Sequence, residues 1–153
     1  MTLMKLRPHH LLDIVTSHGH DVEFRPHPYG HAVHSVAEAV VSNTELRVRF
    51  VVGADEICLP CKHLGSDGLC DDVLSQVDPP ISKQEYNDDL DRRLFAHMNL
   101  TPGTVMTIRE FLEMVGREVP GIEKLCTHPG EDEERRRNGL VRGLEKLGIG
   151  EGV

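Results

Sequence analysis

The sequence predicts an α+β fold: a mostly helical single domain, residues 1–153, with a small β-sheet and a cysteine-rich metal-binding loop. Three observations support this class. Apolar residues recur at helical spacing in several segments, one segment alternates between apolar and charged residues, and three of the four cysteines lie close together in a segment without periodicity. A chain of 153 residues is long enough to bury a hydrophobic core without disulfides.

The first part of the chain predicts a short strand and two helices. The segment LMKLRP fits the strand, and Pro8, which has no N–H to leave unpaired, suits the first turn of a helix running to Gly19. A second helix is predicted from about Tyr29 to Asn43. Its apolar face consists of Val33, Val36, Ala37, Val40 and Val41.

A half-buried strand is predicted next. In ELRVRFVVG, the apolar residues Leu46, Val48 and Phe50 alternate with Arg47 and Arg49. This period of two is typical of a strand with one face on the core. The cysteine segment that follows contains Pro, Gly and Asp without periodicity, which indicates a loop.

Two capping boxes predict the starts of the next helices. The Ser82–Glu85 and Thr107–Glu110 segments each place a hydroxyl three residues before a Glu. They open helices over roughly Lys83–Met98 and Ile108–Glu118. A last helix is indicated where acidic residues precede basic ones near the C-terminal end. Acidic residues at Asp71, Asp72 and within Asn87–Asp91 are assigned to solvated surface or a helix start.

Charge and cysteine content restrict the functional class. The net charge of −8 disfavours nucleic acid as a partner, because such binding depends on Lys and Arg. The N-terminal segment has only short apolar runs, which predicts neither a signal peptide nor a membrane partner. We therefore expect a cytoplasmic protein. In that reducing environment, closely spaced cysteines are more typical of metal ligands or redox thiols than of disulfides.

The cysteines predict a metal site. Cys58 and Cys61 form a Cys-x2-Cys pair, Cys70 follows after eight residues, and Cys126 is far along the chain. Two thiolates at this spacing can converge on one metal. We expect Cys58, Cys61, Cys70 and Cys126 to bind an iron–sulfur cluster of the 4Fe–4S type, with zinc as the alternative. The pattern also allows His63 or His128 to replace one cysteine.

The histidines predict a second functional feature. Seven of the ten histidines lie between His9 and His34. His9 and Asp13 are one helical turn apart, and His31, His34 and Glu38 fall on one edge of the second predicted helix. Such a group can bind a metal or perform acid–base chemistry. The predicted pocket, with catalytic candidates His9, His10, His31 and His34, also includes His27. Each of these histidines is individually also consistent with a solvated or capping position.

The motifs LRPHHLLDI and VVGADEICLPC resemble the bacterial and archaeal family called domain of unknown function 1284. The resemblance extends over roughly Leu6 to Cys70. It implies a candidate iron–sulfur-binding protein and supports Arg7, His9 and His10 as shared features. Many members carry a cysteine directly after the two leucines, where this chain has Asp13. Either Cys126 takes the place of that ligand, or Asp13 itself lies at the site.

Three functions agree with these features. The first is an iron–sulfur protein for electron transfer or sensing, whose acidic surface would suit a redox partner protein. The second is a metalloenzyme that binds a small-molecule ligand in the histidine pocket beside the metal. The third is a structural zinc site without a catalytic role.

Overall fold

The computed structural model describes residues 3–74, 79–126 and 130–149. Six helices and five short strands occur in this part of the chain, which confirms the predicted α+β class. The helices are α1 (Pro8–Gly19), α2 (Val33–Ser42), α3 (Lys83–His97), α4 (Ile108–Arg117), α5 (Ile122–Cys126) and α6 (Glu133–Lys146). The strands are β1 (Met4–Leu6), β2 (Arg47–Phe50), β3 (Val73–Leu74), β4 (Ile81–Ser82) and β5 (Val105–Thr107).

The main sheet has three strands in the order β1-β2-β5. Strand β1 runs parallel to β2, with Leu6 opposite Phe50, and β5 runs antiparallel to β2. On β2, Val48 and Phe50 are buried while Arg47 and Arg49 are exposed. The predicted alternation is therefore confirmed, and it places one face of the sheet on the core. Strands β3 and β4 pair separately, just after the cysteine loop.

Helix α1 occupies the centre of the described fold. It packs against α2, α3 and α6, and its residues Leu11, Leu12 and Val15 belong to the hydrophobic core. Phe50 from the sheet stacks on Phe111 from α4, with ring centroids 4.2 Å apart. Since α1 also carries His10 and Asp13, its packing fixes the position of residues that the sequence singled out. No helix in the described ranges is long and apolar enough to cross a membrane.

The predicted helix starts on α1, α3 and α4 are confirmed. Pro8 lies in the first turn of α1, where its missing N–H has no cost. The Ser82 side chain accepts a hydrogen bond from the N–H of Glu85 at the start of α3. Thr107 and Glu110 form a complete capping box on α4, in which each side chain satisfies a free backbone donor.

The predicted start of α2 is wrong. The helix begins at Val33 rather than near Tyr29, so His31 precedes it in a loop. Two backbone hydrogen bonds to the cysteine loop hold this segment: the N–H of Ala32 donates to Ile57, and that of Lys62 donates to Tyr29. The backbone groups that would open a longer helix are thus used in tertiary contacts.

A buried ionic network joins α1 to α3, and it corrects the assignment of Asp91 to a solvated surface. Asp91 is fully buried and accepts hydrogen bonds from Arg7 and from both the backbone N–H and the ring Nδ1 of His9. Arg7 also pairs with Asp88 at 3.0 Å. The network anchors the start of α1 directly beside His10.

Candidate metal centre

The cysteine loop and the histidine-rich segment meet at one cavity of about 280 Å³. Its walls come from α1, the loop before α2, the cysteine loop and the start of α3. The cysteines that line it are Cys58, Cys61 and Cys70, and the histidines are His10, His31 and His63. Asp13, Asp72 and Lys83 add charged groups to the lining. The structure therefore brings together three of the four predicted cysteine ligands and two of the four predicted catalytic histidines.

Local hydrogen bonds shape the cysteine loop. The N–H of Cys61 donates to the carbonyl of Cys58 at 2.9 Å, which forms the turn of the Cys-x2-Cys pair. Cys70 forms an isolated antiparallel bridge with Leu64, so the loop folds back on itself. The sulfur of Cys70 accepts a hydrogen bond from the N–H of Asp72 at 3.4 Å. Donors of this kind stabilise a thiolate and tune the potential of a bound cluster.

Asp55 organises the wall between α1 and the cysteine loop. Its side chain is buried and accepts hydrogen bonds from the backbone N–H groups of Arg7, Ile57 and Cys58 and from His10 Nδ1. Burial opposes its ionisation, but the charge and hydrogen bond of His10 outweigh that cost and hold the pKa of Asp55 well below its usual range. A buried carboxylate thus links the two sequence motifs.

The carboxylate charge of Asp55 raises the pKa of both of its ionisable neighbours, His10 and Cys58. Burial lowers the pKa of His10, but the nearby carboxylate outweighs this effect, and the net pKa is raised. Burial, reinforced by the charge of Asp55, raises the pKa of the Cys58 thiol to about 12. Without a metal, Cys58 therefore keeps its proton at neutral pH, and a metal must displace that proton to bind.

We expect Cys58 to react slowly with iodoacetamide in the metal-free, reduced protein at pH 8. Alkylation requires the thiolate, and a pKa of about 12 instead of 9.0 lowers the thiolate fraction on the order of 1000-fold. Mass spectrometry of the alkylated peptides measures the rate for Cys58. In urea the same residue should react at the rate of an ordinary thiol, and equal rates in both conditions would contradict the prediction.

His31 and His63 also line the cavity. His31 stacks on His27 with centroids 4.3 Å apart, and its buried Nδ1 has no hydrogen-bond partner within the described ranges. Burial, with His27 nearby, lowers its pKa. His63 hydrogen-bonds through Nδ1 to Asp71 and packs edge-on against Tyr29. His31 therefore lines the cavity and carries a buried ring nitrogen that has no partner in the described ranges.

Four of the sequence-predicted residues lie elsewhere. His9 belongs to the Asp91 network, and His34, on α2, is not among the residues that line the cavity. His27 stacks behind His31 without lining the cavity. Cys126, at the end of α5, is buried in the core with 1% of its surface exposed and is also outside the lining. Its role as the fourth ligand stays a prediction, and His128 lies outside the described residues.

Asp13 does line the cavity, which agrees with the alternative that Asp13 itself lies at the site. One of its carboxylate oxygens accepts a hydrogen bond from Arg136 at 2.8 Å. The residue that sequence reasoning missed is Asp55. Its only sequence signal is its place three residues before Cys58 in the motif GADEIC, where an Asp side chain can bond backbone N–H groups two and three residues further on.

The donor set fits a transition metal. Thiolates and imidazoles are the ligands that iron–sulfur clusters and zinc take in proteins. Among the described residues, one group of three has its ligand atoms within 4.8 Å of one another: His10, Asp55 and Cys58. The three loop cysteines do not form such a group in this part of the chain.

An α+β fold with a cysteine-rich loop facing an imidazole-lined cavity defines a candidate metal-binding protein. The family model described as "protein of unknown function (DUF1284)" matches residues 27–129. The chain belongs to this family, as the resemblance of its motifs predicted. The match includes all four cysteines and Asp55 but not the RPHHLL motif. Searches of curated proteins and of solved structures gave no match.

Proposed function

We propose that the protein binds an iron–sulfur cluster through Cys58, Cys61 and Cys70 and uses it for electron transfer or sensing. One observation carries the proposal: the three cysteines line one cavity together with imidazoles, rather than lying in separate parts of the fold. The soft sulfur donors suit iron–sulfur chemistry, and the cluster when bound would supply reversible electron transfer.

The spacing of the cysteines favours a cluster over a structural zinc ion. Zinc in four-cysteine sites usually lies between two Cys-x2-Cys pairs, whereas this sequence has one such pair, Cys58 and Cys61, with Cys70 following after eight intervening residues. Three neighbouring cysteines with a more distant fourth ligand are typical of cubane clusters.

The test is elemental analysis with an absorption spectrum on protein purified without oxygen. We expect about four irons and four sulfides per chain, the content of a cubane. The Cys58→Ser, Cys61→Ser and Cys70→Ser variants should each lose most of the iron. Stoichiometric zinc without iron would overturn the proposal and favour the structural zinc site.

Cys126→Ala is the matched control, because it removes a cysteine that lies outside the cavity. We expect this variant to keep its iron, whereas loss of iron from a folded variant would support the four-cysteine site. Alanine suits the control, since the position is buried in the hydrophobic core and a methyl side chain adds no polar group there.

The histidines in the same cavity favour a second candidate function, a metalloenzyme acting on a small substrate. The buried Nδ1 of His31 has no partner in the described ranges, and buried polar atoms normally find one. His34 also has an Nδ1 without a partner in this part of the chain, but of the two only His31 lines the cavity, where a bound small molecule would contact its ring. Azide is a suitable probe, monitored by electron paramagnetic resonance of the iron-loaded protein. His31→Gln should weaken azide binding, whereas His34→Gln, outside the cavity, should leave it unchanged.

A further inference from the structure

The side chain of Asp55 is fully used by protein donors. Its Oδ2 accepts from the N–H of Arg7 at 2.7 Å and from His10 Nδ1 at 2.8 Å. Its Oδ1 accepts from the N–H groups of Ile57 at 3.1 Å and Cys58 at 3.2 Å. The two carboxylate oxygens have about four acceptor sites in all, and four donors occupy them. Asp55 is therefore suited to position its neighbours rather than to bind a metal itself.

His10 is fixed by this arrangement. Since the carboxylate can only accept, Nδ1 of His10 carries a proton, and Nε2 is the nitrogen that a metal binds by displacing any proton there. His10 lines the cavity, and its Nε2 forms no hydrogen bond within the described ranges. A ring nitrogen of His10 lies within 4.8 Å of the Cys58 sulfur. An imidazole aimed in this way by a carboxylate is a recurrent arrangement in metal sites.

Three other non-cysteine candidates in the cavity, Asp13, His31 and His63, are less suited. The Nδ1 of His31 has no hydrogen-bond partner in the described ranges, so no carboxylate orients its ring through that nitrogen. Asp13 is paired with Arg136 at 2.8 Å, so a metal would compete with a guanidinium for the same carboxylate. His63 is held by Asp71, whose side chain is 71% exposed, and an exposed partner restrains the ring less than a buried one. His10 alone combines a buried carboxylate partner with closeness to a cysteine sulfur in the described part of the cavity.

We propose that His10 binds the cofactor through Nε2, as the ligand that completes Cys58, Cys61 and Cys70, and that Asp55 positions it. This inference rests on the proposed function. It gives a site of three thiolates and one imidazole. Replacement of thiolate by neutral imidazole raises the reduction potential of iron–sulfur centres, so such a site would differ in potential from a four-cysteine cluster.

Pulsed electron paramagnetic resonance on the reduced, iron-loaded protein tests the inference directly. We expect a nitrogen hyperfine coupling that changes when the histidines are labelled with ¹⁵N. The coupling should disappear in His10→Ala and in His10→Cys, while His10→Cys keeps its iron and has a lower reduction potential. His63→Gln is the matched control and should retain the coupling.

The outcomes separate the two proposals. Iron-loaded wild-type protein without nitrogen coupling, or a coupling that survives in His10→Ala, would overturn the assignment of His10 and leave the cluster intact. A coupling lost in His63→Gln and kept in His10→Ala would transfer the role to His63. Wild-type protein that binds no iron would overturn both proposals.

The positioning role of Asp55 is tested separately, by the affinity of the protein for a metal. Asp55→Asn should weaken binding of Co²⁺ to the metal-free protein by about 10- to 100-fold, the usual effect of losing the group that orients a ligating histidine. Asp71→Asn, which alters the corresponding partner of His63, should leave Co²⁺ affinity unchanged. Equal effects of the two substitutions, with both variants folded by circular dichroism, would contradict a specific positioning role.

Discussion

We expect Asp91→Asn to lower the free energy of unfolding by about 3–5 kcal/mol. Asp91 is fully buried and accepts hydrogen bonds from Arg7 and from two nitrogens of His9. An amide at this position carries no charge and has one acceptor oxygen instead of two. The substitution would therefore leave Arg7, whose side chain is 3% exposed, buried with only part of its countercharge. Urea unfolding of the metal-free protein measures the loss.

Asp89→Asn provides the matched control on the same helix. Asp89 pairs with Arg93 at 3.1 Å, but the two side chains are 68% and 47% exposed. Solvent screens such a pair, and its loss should cost at most about 1 kcal/mol. Similar destabilisation by both substitutions would contradict the special role of the buried network. A small loss of stability in Asp91→Asn would show that Asp88 alone is enough to balance the charge of Arg7.

The confirmed elements are those whose signals lie within a few residues. Pro8, Ser82 and Thr107 each mark a helix start through their own side chain or ring. The alternation around Val48 reports directly which side of the strand faces the core. These signals need no knowledge of the rest of the chain, because the interactions involved are local.

The start of α2 was mispredicted because distant residues decide it. Periodicity of Val33 to Val41 predicts a helix correctly, but it does not determine the residue at which that helix begins. Hydrogen bonds to Ile57 and Lys62 in the cysteine loop prevent the helix from beginning earlier. Gly30, with a φ of 78°, is a local sign of this later start, since a positive φ is incompatible with a right-handed helix.

In the candidate site, too, the residues that are close in sequence were predicted and those that depend on distant partners were not. The short spacing of Cys58, Cys61 and Cys70 predicts that they lie together, and all three do line one cavity. Asp55 and Asp91 are different. Their partners lie 45 and 84 residues away along the chain, and an Asp in a loop or on a helix looks solvated until those partners are known. The sequence therefore did not reveal that these two carboxylates are buried, because their burial depends on charged partners far away along the chain.

The second large effect concerns the contact between α1 and α6, where glycine lets the two backbones approach closely. A Cβ on Gly143 would overlap the backbone carbonyl of Val15 on α1. Gly143→Ala should force the helices apart and lower the free energy of unfolding by about 3 kcal/mol, at the upper end for overpacked cores. Because α1 carries His10 and Asp13, the variant should also bind less iron. Urea unfolding and iron analysis measure the two effects.

Val141→Ala is the control for this contact, since Val141 lies on the same helix but is 37% exposed. We expect its stability to stay within about 0.5 kcal/mol of wild type and its iron content to be unchanged. If Gly143→Ala lowers stability but retains full iron, the cavity does not depend on the close seating of α1 against α6. Wild-type stability of Gly143→Ala would instead mean that α6 can shift to accommodate a methyl group, and that α1 is held by the Asp91 network and the core alone.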